Sequence, residues 1–143
     1  IMYTIDASVF INAFNPYEAG HEASRDFLAA AQKQGTPILV PTLLLPELAA
    51  TIGRGRGDAQ LARDFATQIA RLPHLLLIDL DATLAYQALV IAADHKLRGS
   101  DAVYAAVALR FGCTLVSLDR EQCARVASLV KTQSPIEALR GNP

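Results

Sequence analysis

The stretch that decides the fold is Arg98-Gly99-Ser100-Asp101-Ala102-Val103-Tyr104-Ala105-Ala106-Val107-Ala108, continued by Thr114-Leu115-Val116-Ser117-Leu118-Asp119. Its first half predicts an apolar helix over 100–111, with a carboxylate in the first turn and Gly112 as the C-terminal stop. Its second half predicts a buried strand over 114–118 that ends at a second carboxylate. Both acids fall at element ends, where side chains converge without deep burial. Two more acids hold comparable places upstream. Asp6 ends the apolar run 2–5, and Glu47 lies just beyond the apolar run 37–40.

Between these points the chain alternates strand and helix. Helical positions are expected at 7–11, before a polar break from Asn12 to Tyr17, and over 18–34, stopped by Gly35. Thr42 is the expected N-cap of a helix to about residue 52, with Pro46 in its first turn. Gly53-Arg54-Gly55-Arg56-Gly57 is expected to break that helix as a flexible link, and Asp58 to cap the next one, closed by Pro73. The run 75–79, apolar up to its closing Asp79, reads as a strand covered on both faces. Asp81 then caps a helix over 82–93, and Asp119 opens one to about residue 127. A short fifth strand is expected at 128–131 and a last turn after Pro135.

Strands alternating with helices predict a three-layer α/β/α sandwich around a mainly parallel sheet of four to five strands. A chain of 143 residues is expected to form one such unit over 1–143. In such sheets, sites form beyond the carboxyl ends of the strands. Asp6 and Asp119 end strands, Glu47 lies beyond one, and Asp101 can face the same edge if its helix packs back across the sheet.

Composition narrows the function classes. With 52% hydrophobic and 19% charged residues the chain is globular, and no apolar run reaches membrane-spanning length. The first residues turn polar too soon for a secretory signal, so a cytoplasmic location without membrane association is expected. Ile1 precedes Met2, and Met2 is the expected native start. A net charge of −1 gives no global basic field, so a nucleic-acid partner needs local patches. Cys113 and Cys123 form no CxxC pair, and His21, His74 and His95 have no zinc-ligand spacing. Two buried, reduced thiols are expected, with a disulfide between them left open.

Asp6, Glu47, Asp101 and Asp119 gathered at one point would repel each other. The chemistry that needs such a gathering is binding of a hard divalent cation, Mg²⁺ or Mn²⁺, with substrate phosphate oxygens completing the shell. Such an ion acidifies water and neutralises charge building on phosphorus. Taken singly, Asp6 and Asp119 also suit helix N-caps, Asp101 a first-turn acid and Glu47 an exposed helical acid.

Asp6-Ala7-Ser8 after an apolar strand, Pro46-Glu47-Leu48 opening a helix, Ser100-Asp101-Ala102 with its alanine-rich continuation, and Leu115-Val116-Ser117-Leu118-Asp119 together resemble the four acidic motifs of PIN domains. More closely, the chain is similar to the VapC-type ribonuclease toxins of toxin–antitoxin pairs, in the right order over nearly its whole length. The resemblance implies a Mg²⁺- or Mn²⁺-dependent endoribonuclease whose acidic site is Asp6, Glu47, Asp101 and Asp119. Asp6, Asp101 and Asp119 would hold metal, and Glu47 would position metal or attacking water. Ser8 would support Asp6. Ser117 keeps a hydroxyl where many relatives carry Thr. In-line attack by water is expected to leave 5′-phosphate and 3′-hydroxyl ends. A cognate antitoxin and a second copy of the chain are the implied partners beside RNA.

Arg54, Arg56 and Arg98 are candidates for contact with RNA phosphate or antitoxin. Tyr104, at helical spacing from Ala108, reads as core or interface. The contrasting reading is a PIN fold that binds RNA or protein without cutting, against which the intact acids argue. A rival motif, Asp79-Leu80-Asp81-Ala82-Thr83, resembles that of haloacid-dehalogenase-type phosphatases. It is set aside because it belongs on the first strand of its fold, and too little chain follows Asp79 here.

Overall fold

The structure, a computed structural model, describes residues 1–141; Asn142 and Pro143, the end of the expected 1–143 unit, lie outside the described residues. In chain order the elements are β1 (Tyr3–Ile5), α1 (Ala7–Phe14), α2 (His21–Gln34), β2 (Ile38–Pro41), α3 (Leu44–Arg56), α4 (Ala59–Ala70), β3 (Leu75–Ile78), α5 (Ala82–His95), α6 (Gly99–Phe111), β4 (Thr114–Val116), α7 (Arg120–Val126), β5 (Thr132–Gln133) and α8 (Pro135–Gly141). The strands form one five-stranded sheet in the order β3-β2-β1-β4-β5, with every pairing parallel. Among the described residues no helix is long and apolar enough to cross a membrane.

The strand order reverses between β1 and β4, and that switch point opens a crevice at the carboxyl ends of both strands. Tyr3, Thr4 and Ile5 pair in register with Thr114, Leu115 and Val116. Asp6 therefore leaves β1 beside Ser117, which leaves β4. The register is pinned by burial of the residues it pairs. Tyr3 packs edge-on against Phe27 of α2 at 5.0 Å between centroids, and Ile5 and Val116 are wholly buried.

Helix α6 is buried all round from Ala102 to Ala108 and packs across β1, β2 and β4. Alanines on this helix let its backbone lie close to the sheet, which brings its N-terminus to the crevice. Gly112 (φ 69°) ends it in the left-handed conformation, donating its N–H to Ala108 C=O, and turns the chain into β4.

Several elements depart from expectation. Helix α1 continues through Asn12 to Phe14, where the buried Asn12 Nδ2 donates to Glu18 Oε1 and Ala19 C=O, both at 2.9 Å. Helix α2 accordingly starts at His21. Thr42 does not cap α3; its Oγ1 accepts from Leu80 N–H at 3.2 Å, and the cap position is Leu43 with no side-chain bond. Gly53 and Gly55 do not break α3, which runs to Arg56 and ends at Gly57. A Cβ at Gly53 would meet Ala62 Cβ of α4 at 3.7 Å, so close packing of the two helices offsets the glycine cost of ~1 kcal/mol each.

Strand β3 is not covered on both faces. It is an edge strand, with Leu76 and Leu77 54% and 37% exposed. The fifth strand lies at Thr132–Gln133 instead of 128–131; Val130 is buried in the preceding turn, and Leu115 and Val116 pair with Thr132 and Gln133. Both cysteines are free: Cys113 is buried as expected, but Cys123 is only partly buried.

Candidate functional site

Asp6 is the N-cap of α1, and its two oxygens are bound on opposite sides. Oδ1 accepts from Ser8 N–H at 3.1 Å and from Ser8 Oγ at 2.5 Å, while Oδ2 accepts from Ser117 Oγ at 2.5 Å. Ser8 Oγ in turn accepts from Leu118 N–H at 3.2 Å, and Ser117 Oγ accepts from Asp119 N–H at 3.0 Å. Two hydroxyls thus lace the end of β1 to the loop after β4. Burial pushes the Asp6 carboxyl up to about 6, against the lowering effect of the Ser117 and Ser8 hydroxyls; nearby Asp101 raises it further.

Asp119 caps α7, its Oδ1 accepting from Gln122 N–H at 3.2 Å. Capping and cleft-facing roles are divided between its two oxygens, since Oδ2 faces Arg98. Asp101 lies in the first turn of α6, where the helix dipole favours a carboxylate. Its Oδ2 accepts from Arg98 Nε at 2.8 Å, and Arg98 Nη2 reaches Asp119 Oδ2 at 3.7 Å.

Glu47 sits in the first turn of α3, and its Oε1 accepts from Tyr104 Oη at 2.6 Å. Burial pushes the Glu47 carboxyl above its ordinary value; the Tyr104 hydroxyl pulls it back, and Asp101 adds to the rise. Tyr104, 3% exposed, is pushed up by burial and by its bond to Glu47. Its role was missed in the sequence, although a signal existed. It lies one helical turn after Asp101, and its hydroxyl is the lone polar tip in the Ala102–Ala108 run.

All four acids line one cleft of about 190 Å³, together with Arg98 and Tyr104. Beneath it, a space of about 10 Å³ is bounded by Asp6, Asp101, Ser117, Gln122 and Cys123. Gln122 Oε1 is buried there without a hydrogen-bond partner, and burial beside Asp6 and Asp119 pushes the Cys123 thiol up to about 11, leaving it protonated and inert. Gln122 was not singled out by the sequence, and Cys123 only as a reduced thiol.

The donor set of the cleft is oxygen throughout, four carboxylates and the hydroxyls of Ser8, Ser100 and Tyr104, which is the chemistry of a hard divalent cation. Among the described residues, no three acids, histidines or cysteines are closed around one point as a metal shell. The carboxylates are held on other donors: Asp6 on serines, Glu47 on tyrosine, Asp101 and Asp119 on arginine. The residues therefore fit such an ion in kind, with Arg98 standing where positive charge is required.

The remaining candidates are dispersed. Arg54 borders a shallow groove along α3 with Pro46, Glu47 and Ala50, next to the cleft. Arg56 instead lies over the Phe14 ring at 5.3 Å, and both belong to a helix and not a flexible link. Asp81 caps α5, its Oδ1 accepting from Leu84 N–H at 2.9 Å, and Asp79 follows the edge strand β3, away from the switch point.

The family model for the PIN domain matches residues 3–129. Among solved structures, the fold is similar to VapC20 of Mycobacterium tuberculosis, a sarcin-ricin loop cleaving toxin, at 20% identity and TM-score 0.75 over 90% of this chain and 97% of that one. It is similar to VapBC2 from Rickettsia felis bound to a promoter DNA fragment, at 13% identity and TM-score 0.70 over 94% and 98%. FitAcB from Neisseria gonorrhoeae matches at 18% identity and TM-score 0.68 over 94% and 98%. At these identities the likeness is one of fold. No curated protein sequence matches the chain.

Proposed function

This chain belongs to the PIN domain family, and on that premise we propose that it is a divalent-ion-dependent endoribonuclease, the toxin of a toxin–antitoxin pair, with residues 1–143 forming one PIN-like unit. The observation that carries the reading is the convergence of Asp6, Glu47, Asp101 and Asp119 on one cleft at the β1/β4 switch point. Four acids so placed serve no core packing. They cost electrostatic energy unless a cation joins them.

Asp6, Asp101 and Asp119 would hold Mg²⁺ or Mn²⁺. When bound, the ion supplies Lewis acidity toward phosphate oxygen and acidifies water. Ser8 and Ser117 fix both oxygens of Asp6, so its orientation is set before substrate arrives. Tyr104 fixes one oxygen of Glu47 and leaves the other as an acceptor for attacking water. Arg98 borders the cleft and Arg54 the adjoining groove, and both supply local attraction for RNA phosphate that a net charge of −1 does not.

The antitoxin partner is supported by the toxin–antitoxin complexes that share the fold. A homodimer is supported by the exposed Tyr86, Leu89 and Val90 of α5 beside Leu109 of α6, an apolar face that a second copy would cover. A cytoplasmic location agrees with an RNA substrate. Incubation with labelled RNA in Mg²⁺ or in EDTA tests the activity. Cleavage in Mg²⁺ and none in EDTA is expected; binding without cleavage would assign the chain to the non-cutting PIN folds instead.

A further inference from the structure

Arg98 holds an unusual position for a charged side chain beside a cation site. Its Nε lies 2.8 Å from Asp101 Oδ2 and its Nη2 3.7 Å from Asp119 Oδ2, so one guanidinium spans two of the acids. The Asp119 Oδ1 atom is already committed to capping α7. The Asp119 oxygen that remains for a cation is thus the one Arg98 faces, and on Asp101 the guanidinium takes Oδ2. The arginine side chain is 71% exposed, against 16% for Asp101 and 37% for Asp119, so it covers the acids from the solvent side. It departs from an extended backbone position just ahead of α6, next to Gly99, where nothing lies within 4 Å of a notional Cβ.

From this geometry, and resting on the reading of the cleft as a divalent-ion site, we infer that Arg98 is a built-in counter-cation that the ion must displace. A guanidinium does not lose its charge in the accessible pH range. A divalent ion and a guanidinium repel each other, and both are drawn to Asp101 and Asp119. Arg98 therefore holds Asp101 and Asp119 together in the ion-free protein and competes with loading. An exposed ion pair of this kind is weak, so the competition is modest and reversible. The side chain is released to the mouth of the cleft when the ion enters.

The test is direct counting of free Mn²⁺ by electron paramagnetic resonance during titration of ion-free wild type, Arg98→Gln and Arg98→Lys. Arg98→Gln is expected to bind Mn²⁺ about two- to fivefold more tightly than wild type. Arg98→Lys keeps the charge and is expected to stay within about twofold of wild type. Equal or weaker binding by Arg98→Gln would overturn the inference, as would Arg98→Lys matching Arg98→Gln, since charge would then not be the cause. Wild type that binds no Mn²⁺ at all would overturn the ion-dependent reading itself, and the two failures are distinguishable. Circular dichroism spectra of the three ion-free proteins, expected to superpose because residue 98 is exposed, exclude misfolding as the source of a difference.

Discussion

Ser117 Oγ donates to Asp6 Oδ2 at 2.5 Å and ties the end of β4 to the end of β1. The same oxygen accepts from Asp119 N–H at 3.0 Å, so one hydroxyl positions two of the four acids. Ser117→Ala removes both bonds. RNA cleavage is expected to fall by about 10- to 100-fold, and stability by about 1–2 kcal/mol. Ser117→Thr keeps the hydroxyl and is expected to retain most activity. Initial rates on labelled RNA for the two variants decide this; equal losses would show that the hydroxyl is not what matters.

Asp6 gives the ion-free protein a pH dependence with a definite sign. Its folded carboxyl titrates near 6, raised from 3.8 chiefly by burial, so the folded chain holds this proton more tightly than the unfolded one. Its stabilising contribution is complete below the unfolded value and is lost as pH rises through about 6. At ~1.4 kcal/mol per decade the loss is on the order of 3 kcal/mol. Melts in EDTA from pH 4 to 7 should show Asp6→Asn gaining on wild type by on the order of 5–10 °C across that range. Parallel curves would contradict the assignment.

Tyr104→Phe deletes the 2.6 Å donor to Glu47 and leaves the ring in place. A stability loss of about 1–2 kcal/mol and a rate loss of ~10-fold are expected. Because the tyrosine hydroxyl lowers the Glu47 carboxyl, its removal lets burial push Glu47 further up. The acidic limb of the pH–rate profile should then move to higher pH. A lower rate with an unmoved profile would assign Tyr104 to packing alone.

Gly112 separates stability from activity. At φ 69° an alanine is strained, yet no atom lies within 4 Å of its Cβ position. Gly112→Ala is expected to cost about 1 kcal/mol through the backbone alone. Cleavage per folded molecule should stay at the wild-type rate, because α6 and β4 keep their places. Urea melts and rates measured well below the transition check both halves.

Much of this arrangement was legible because it is encoded at element ends. Asp58, Asp81 and Asp119 cap the helices that their spacing announced, and Gly35 and Gly112 stop theirs. What was hidden depends on neighbours distant in sequence. An apolar run such as Leu75-Leu76-Leu77-Ile78 does not encode whether a second strand flanks it, and β3 proves to be an edge. Gly53 reads locally as a breaker, and the packing of α3 against α4, which the local sequence does not encode, accompanies its continuation. Tyr104 looks like core until Glu47, 57 residues earlier, is placed against its hydroxyl. The four acids were legible as types at the right positions; their holding partners, Tyr104 and Arg98 above all, were not.

The most direct measurement is cleavage of one labelled RNA by wild type and Asp101→Asn, side by side in Mg²⁺. The variant keeps shape and burial but removes one of the negative charges at the cleft. Wild type is expected to cut and Asp101→Asn to fall by about 100-fold or more, with its fold intact by circular dichroism. Equal rates in the two proteins would contradict an ion held by Asp6, Asp101 and Asp119 as the source of the activity.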